Sequence, residues 1–124
     1  MKDLLVKLYA VKALRGLILK ILRKLMRHEC DTDQLRQIFS RYHHVEVGAY
    51  SYGGCFDRCN IAPGTTIGKF CSFASGVMII STNHDAGKVT THPFLFKPSM
   101  GVVKEDFRKA NNVTIGNDVW VGYN

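Results

Sequence analysis

The sequence predicts a mainly β protein: a parallel β-helix built on a six-residue repeat, preceded by α-helices and interrupted by a long protruding loop. Three observations predict it. The apolar period is helical at the start of the chain, it changes to six at Val45, and the six-residue rule fails for about thirty residues between Ile80 and Asn112. The expected organisation is N-terminal amphipathic helices over residues 1–44, then the coil over 45–124 with its loop inserted at 80–112.

In the first segment Leu4, Leu8, Val11, Leu14, Ile18, Leu22 and Leu25 recur at steps of three and four, with Lys7, Lys20, Arg23, Lys24 and Arg27 on other faces. That spacing describes one amphipathic helix from Asp3 to Arg27. Asp31 followed by Gln34 has the form of a capping box, and Leu35, Ile38, Phe39 and Tyr42 carry a second helical stripe to about His43.

From Val45 the informative residues are Cys55, Ile61, Ile67, Phe73 and Ile79, each six apart. Ile67-Gly68, Ile115-Gly116 and Val121-Gly122 pair an aliphatic residue with glycine, and Val47-Gly48 announces the pair. A period of six fits neither a helix nor an alternating strand, whereas in a solenoid six residues make one flat side of a triangular coil. The aliphatic side chain then points inward at the same place on successive sides. The glycine beside it is expected to supply a corner with positive φ, and Asn60, Asn112, Asn117 and Asp118 suit turns.

Charge narrows the functional classes. The chain has 124 residues and a formal net charge of +7, but residues 1–28 carry eight Lys/Arg against Asp3 alone, and the remainder balances nine against nine. The basic character therefore belongs to the first helix and does not describe a nucleic-acid-binding surface on the coil. The first helix has two readings: its apolar face packs on the fold with solvated lysines outside, or it makes peripheral contact with a membrane. No apolar run there approaches the ~20 residues of a membrane span, and no signal peptide is evident, so the expected location is the cytoplasm, with the inner membrane face as its variant. Cys30, Cys55, Cys59 and Cys71 form no CxxC pair and read as reduced structural thiols.

Within the coil and loop, IGKFCSFASGV (Ile67–Val77), NHD (Asn83–Asp85), TTHPF (Thr90–Phe94) and TIGNDVWVG (Thr114–Gly122) together resemble the hexapeptide-repeat xenobiotic acetyltransferases. That group includes the type-B chloramphenicol and streptogramin acetyltransferases and has sugar O-acetyltransferases among its relations. The resemblance covers about Val45 to Asn124. It implies a left-handed coil, a homotrimer, and an active site between one subunit's loop and its neighbour's coil. It also implies acetyl-CoA as donor, a hydroxyl of a sugar, glycan or antibiotic as acceptor, and His84 as the catalytic base. Acetyl transfer from a thioester needs the attacking hydroxyl to lose its proton, and an imidazole accepts one near neutral pH.

Trp120, in the last motif, is the residue the resemblance sets beside the pantetheine arm of coenzyme A. His92 and Phe94 are candidates for the acceptor pocket, although His92 precedes Pro93 and equally suits a turn cap; Phe96 has the same standing as an apolar wall. No metal is expected, because His84 and His92 are the only histidines after the helices and zinc would need a third ligand. Members of the family continue for several coils beyond the DVWVG-like motif, so a chain ending at Asn124 is expected to be a shortened form. The alternative function is an inactive truncated homologue that serves in association or membrane binding.

Overall fold

A computed structural model of the chain describes residues 1–123; Asn124, the last residue of the expected coil, lies outside the described residues. Three helices, α1 (Lys2–Leu8), α2 (Arg15–Leu25) and α3 (Asp33–His43), precede six short strands. The strands are β1 (Val45–Val47), β2 (Tyr52–Gly53), β3 (Thr65–Ile67), β4 (Ser72–Phe73), β5 (Val113–Ile115) and β6 (Trp120–Val121).

All strand pairs are parallel. One sheet runs β1-β3-β5 and the other β2-β4-β6, and an isolated parallel bridge, Ile61 to Ile79, marks a third side. Val45 lies opposite Thr65 and Thr65 opposite Val113, while Tyr52, Ser72 and Trp120 share a second register. Consecutive strands thus belong to different sides, and each strand pairs with its equivalent one coil later. This is the topology of a β-helix.

The series spaced by six turns inward. Cys55, Ile61, Ile67 and Phe73 are buried, and Ile79, Ile115 and Val121 pack against them. In β1 and β3 the flanking residues are buried while Glu46 and Thr66 face out, as strand alternation requires. One buried hydroxyl binds two coils together, Ser51 Oγ donating to Gly68 O (2.7 Å) and accepting from the Cys71 amide (2.9 Å), while that of Thr65 closes a local turn by donating to Ala62 O (2.7 Å).

The glycines act differently from the sequence expectation. Positive φ occurs at Tyr50 (65°), Phe70 (60°) and Asp118 (56°), equivalent corner positions of successive coils two residues beyond Val47-Gly48, Ile67-Gly68 and Ile115-Gly116. Gly48 and Gly68 are needed for close approach instead: a Cβ on Gly48 would stand 2.5 Å from the Gly68 carbonyl, and one on Gly68 would stand 2.5 Å from that of Gly116. The glycines stack backbone on backbone.

The single long helix expected over Asp3–Arg27 is two helices. The chain breaks after Leu8, with Val11 extended (ψ 107°) before a 3-10 turn at Lys12–Leu14. Tertiary packing explains the break. Tyr9 is fully buried, its hydroxyl 2.8 Å from His43 Nε2, and Arg15 Nε donates to the freed Tyr9 carbonyl (3.1 Å). A straight helix of this length would run to ~37 Å and could not lay both halves on α3.

The capping box is also absent. Asp31 ends a 3-10 turn, Thr32 occupies the N-cap without a side-chain cap bond, and Gln34 Nε2 donates to Asp3 Oδ1 (3.4 Å). Leu35, Ile38 and Phe39 are fully buried, and α3 covers the β1 end of the coil. Arg36 fastens it there, donating to Gly48 O (3.1 Å), Thr32 O (2.6 Å) and Cys30 O (2.6 Å).

Candidate active site

The loop leaves the coil after Ile80 and returns at Val113, its stem closed by the Asn111 amide donating to Ser81 O (2.8 Å). Two prolines begin its 3-10 turns, Pro93–Leu95 and Pro98–Met100. Most loop side chains are exposed; Phe96, 8% exposed, is buried and anchors the segment.

His84 stands near the start of the loop. Asn83 Oδ1 accepts the His84 backbone N–H (2.8 Å) and Asp85 Oδ1 accepts that of Gly87 (2.9 Å), so both polar neighbours shape the bend. The ring is held elsewhere. Its Nδ1 lies 2.8 Å from the Thr91 carbonyl oxygen, which can only accept, so Nδ1 carries the proton in this bond. In the neutral ring Nε2 is then left with its lone pair, on an exposed side chain. The Phe96 ring meets the imidazole edge-on, with centroids 5.3 Å apart and planes at 79°.

Phe96 is held in turn from its other side. The Arg108 guanidinium lies 4.0 Å from its ring centroid and donates to Asp106 (2.7 Å at the shortest). Hydrogen bonds from Arg108 hold the Asp106 carboxyl down at about 2, and the same bonds raise the Arg108 value. Beside this stack is a cavity of about 310 Å³, whose wall includes Asn83, Asp85, Lys88, Thr91, Phe96 and Arg108. Four of these flank or contact His84.

The other sequence candidates are placed apart from this cavity wall. His92 is the N-cap of the first 3-10 turn, its Nδ1 accepting from the Phe94 amide (3.4 Å) with the two rings 4.3 Å apart. Phe94 is about half-exposed, and Trp120, on β6, is 78% exposed. The Thr91 carbonyl could not be found from the sequence, because a main-chain acceptor leaves no side-chain signature. The Arg108–Asp106 pair leaves one, a charge pair two residues apart within the loop. Among the described residues, no three His, Cys, Asp or Glu side chains are grouped to hold a metal ion.

Comparison with known proteins finds similar acetyltransferases. Chloramphenicol acetyltransferase of Klebsiella aerogenes is 31% identical over 99 residues, covering 64% of this chain and 47% of the relative. That of Agrobacterium fabrum is 32% identical over 98 residues with the same coverage. Over that stretch the chain is similar to chloramphenicol acetyltransferases. A probable macrolide acetyltransferase of Lysinibacillus sphaericus is 41% identical over 64 residues, 47% of this chain and 36% of that protein. The chain spans about half the length of the chloramphenicol acetyltransferases it matches. No protein-family model matches it, and no solved structure does.

The loop itself has three chemical features. It offers an oriented imidazole with one nitrogen free, a neighbouring cavity, and cations at Lys88, Arg108 and Lys109 on the cavity wall.

Proposed function

We propose that this chain is the loop-bearing part of an acetyl-CoA-dependent O-acetyltransferase on a left-handed β-helix, with His84 as general base. The observation that carries the reading is the 2.8 Å contact of His84 Nδ1 with Thr91 O, because it leaves Nε2 as the proton acceptor. Nε2 takes the proton of the acceptor hydroxyl as its oxygen attacks the thioester carbonyl. The carbon–sulfur bond breaks, and the imidazolium returns the proton to the departing thiolate. Acceptors of the class named for the relatives, chloramphenicol and macrolides, are the first to try; sugar and glycan hydroxyls present the same chemistry.

The cavity, about 310 Å³, is at the low end for a small-molecule site. It suits the acyl-bearing end of the donor or a small acceptor rather than both. We therefore assign the rest of the site to a neighbouring subunit in a homotrimer, where the exposed Trp120 would border the pantetheine arm and His92 and Phe94 would face the acceptor. Four cysteines, all free, suit the reducing cytoplasm, where acetyl-CoA is made.

The test is acetyl transfer from acetyl-CoA to chloramphenicol, a macrolide and simple sugars, read as acetylated product by mass spectrometry. His84→Ala should lower turnover by at least ~100-fold, the usual contribution of a general base, with unchanged circular dichroism. Retained turnover in that variant would remove His84 from the mechanism. Absence of coenzyme A binding by calorimetry would favour the inactive-homologue reading.

A further inference from the structure

An amphipathic helix that packs on a core needs one apolar stripe, and α2 has two. Ile18, Leu19 and Leu22 form the buried one. Leu14, Leu17, Ile21 and Leu25, spaced by three and four, form a second, and Leu17 is 57% exposed. On α1, Leu4 and Leu8 make the same i, i+4 pair in the open, at 58% and 40% exposure, with Val11 beyond them. Apolar area of this kind marks an interaction surface.

The charges interleaved with these side chains say what covers it. Lys2, Lys7, Lys12, Lys20, Lys24 and Arg27 are all exposed, and among the described residues none takes part in an ion pair. Arg15 and Arg23 are occupied by Tyr9 O and by Glu29 with Phe56 O. Asp3 is the only acidic residue before Glu29. A second copy of the chain would oppose six cations with six, and residues 29–124, nine positive against nine negative, carry no excess of acid to meet them.

We propose that the exposed faces of α1 and α2 dock on a membrane surface bearing anionic lipid headgroups. The leucines enter the headgroup–acyl boundary and the lysines meet the phosphates, with the helices lying on the membrane. No described helix is long and apolar enough to cross one. This surface is separate from the loop, so its occupancy is independent of acetyl transfer.

The experiment is sedimentation of the full chain with vesicles of phosphatidylcholine alone and of phosphatidylcholine mixed with phosphatidylglycerol. Binding to the anionic vesicles only, weakened as salt rises from ~0.1 M towards ~1 M and the screening length falls from ~10 Å to ~3 Å, is the expected result. Replacing Lys7 and Lys24 together by glutamine should weaken partitioning about 30-fold, from roughly a fivefold loss per cation. Leu4→Ser with Leu17→Ser should weaken it as well. Equal binding to both vesicle types, or none, overturns the proposal. So does a chain that ignores vesicles but self-associates in sedimentation velocity until Leu4→Ser/Leu17→Ser dissolves the oligomer, for then the face joins copies of this protein.

Discussion

Replacing Gly68 by alanine tests how the coils stack. The added Cβ would stand 2.5 Å from the carbonyl carbon and oxygen of Gly116 and 2.5 Å from Asn117 Oδ1, about 1 Å inside normal contact. The obstacle is mainly backbone, locked by the Gly68 amide donating to Ile115 O (2.9 Å) and by Asn117 Oδ1 accepting from the Lys69 amide (2.8 Å). No flexible side chain can yield, so the coil spacing must widen locally. Overpacking of this kind costs ~1–3 kcal/mol, offset by ~0.4–1 kcal/mol from the stiffer unfolded chain. The net loss is ~1–2 kcal/mol, or ~3–10 °C in Tm for a domain of this size. Gly116 is the internal control: nothing lies within 4 Å of its Cβ position, so Gly116→Ala should be neutral or slightly stabilising. Thermal and urea unfolding of both variants decide the matter. A Gly68→Ala protein as stable as the parent, or equal losses at the two positions, would refute the account of stacked glycines.

Acid should loosen the helical cap. Burial, followed by the Arg15, Arg58 and His44 charges, lowers the His43 pKa below its ordinary value. Because the folded value is depressed, the unfolded chain binds the proton more readily, so stability is full above ~6.5 and falls as pH drops through the folded pKa. Melting curves between about pH 8 and 5 should show this loss, and His43→Gln should remove its dependence on pH. Thiol labelling should divide the cysteines: burial pushes Cys55 up to about 12, and Cys71 is fully buried, whereas Cys59 is exposed. Iodoacetamide mapped by mass spectrometry should modify Cys59 in the native protein and leave Cys55 and Cys71 until denaturant is added; early modification of Cys55 would contradict the packing of the coil.

Much of the coil could be read from the chain because one side chain in six faces the same interior, so burial writes itself into the sequence as a period. Ile61, Ile67 and Phe73 are such residues, and all are buried; Cys55 is buried too, but from a 3-10 turn at Gly54–Phe56, because Gly53 is the residue that pairs with Phe73. The loop was legible as the place where that period fails, and His84 as a candidate near its start from its motif. Its held tautomer was not, since the partner is the Thr91 main chain, which every residue possesses. Nor was the Arg108–Phe96–His84 stack, whose members are far apart in the loop and meet only when it closes at Ser81 and Asn111.

The N-terminal segment divides along the same line. Local periodicity alone determined that the segment before β1 carries amphipathic helices and that α3 stops near His43, because amphipathic spacing is a property of neighbours along the chain. The break at Tyr9 was decided by tertiary structure, where burying one tyrosine against His43 outweighs continuing a helix through residues with no breaker among them. The role of the glycines was decided there too. The sequence by itself determined which side chains turn inward; contact between coils determined that Gly48 and Gly68 must lack a Cβ, since the atoms they would strike belong to residues 20 and 48 positions further along.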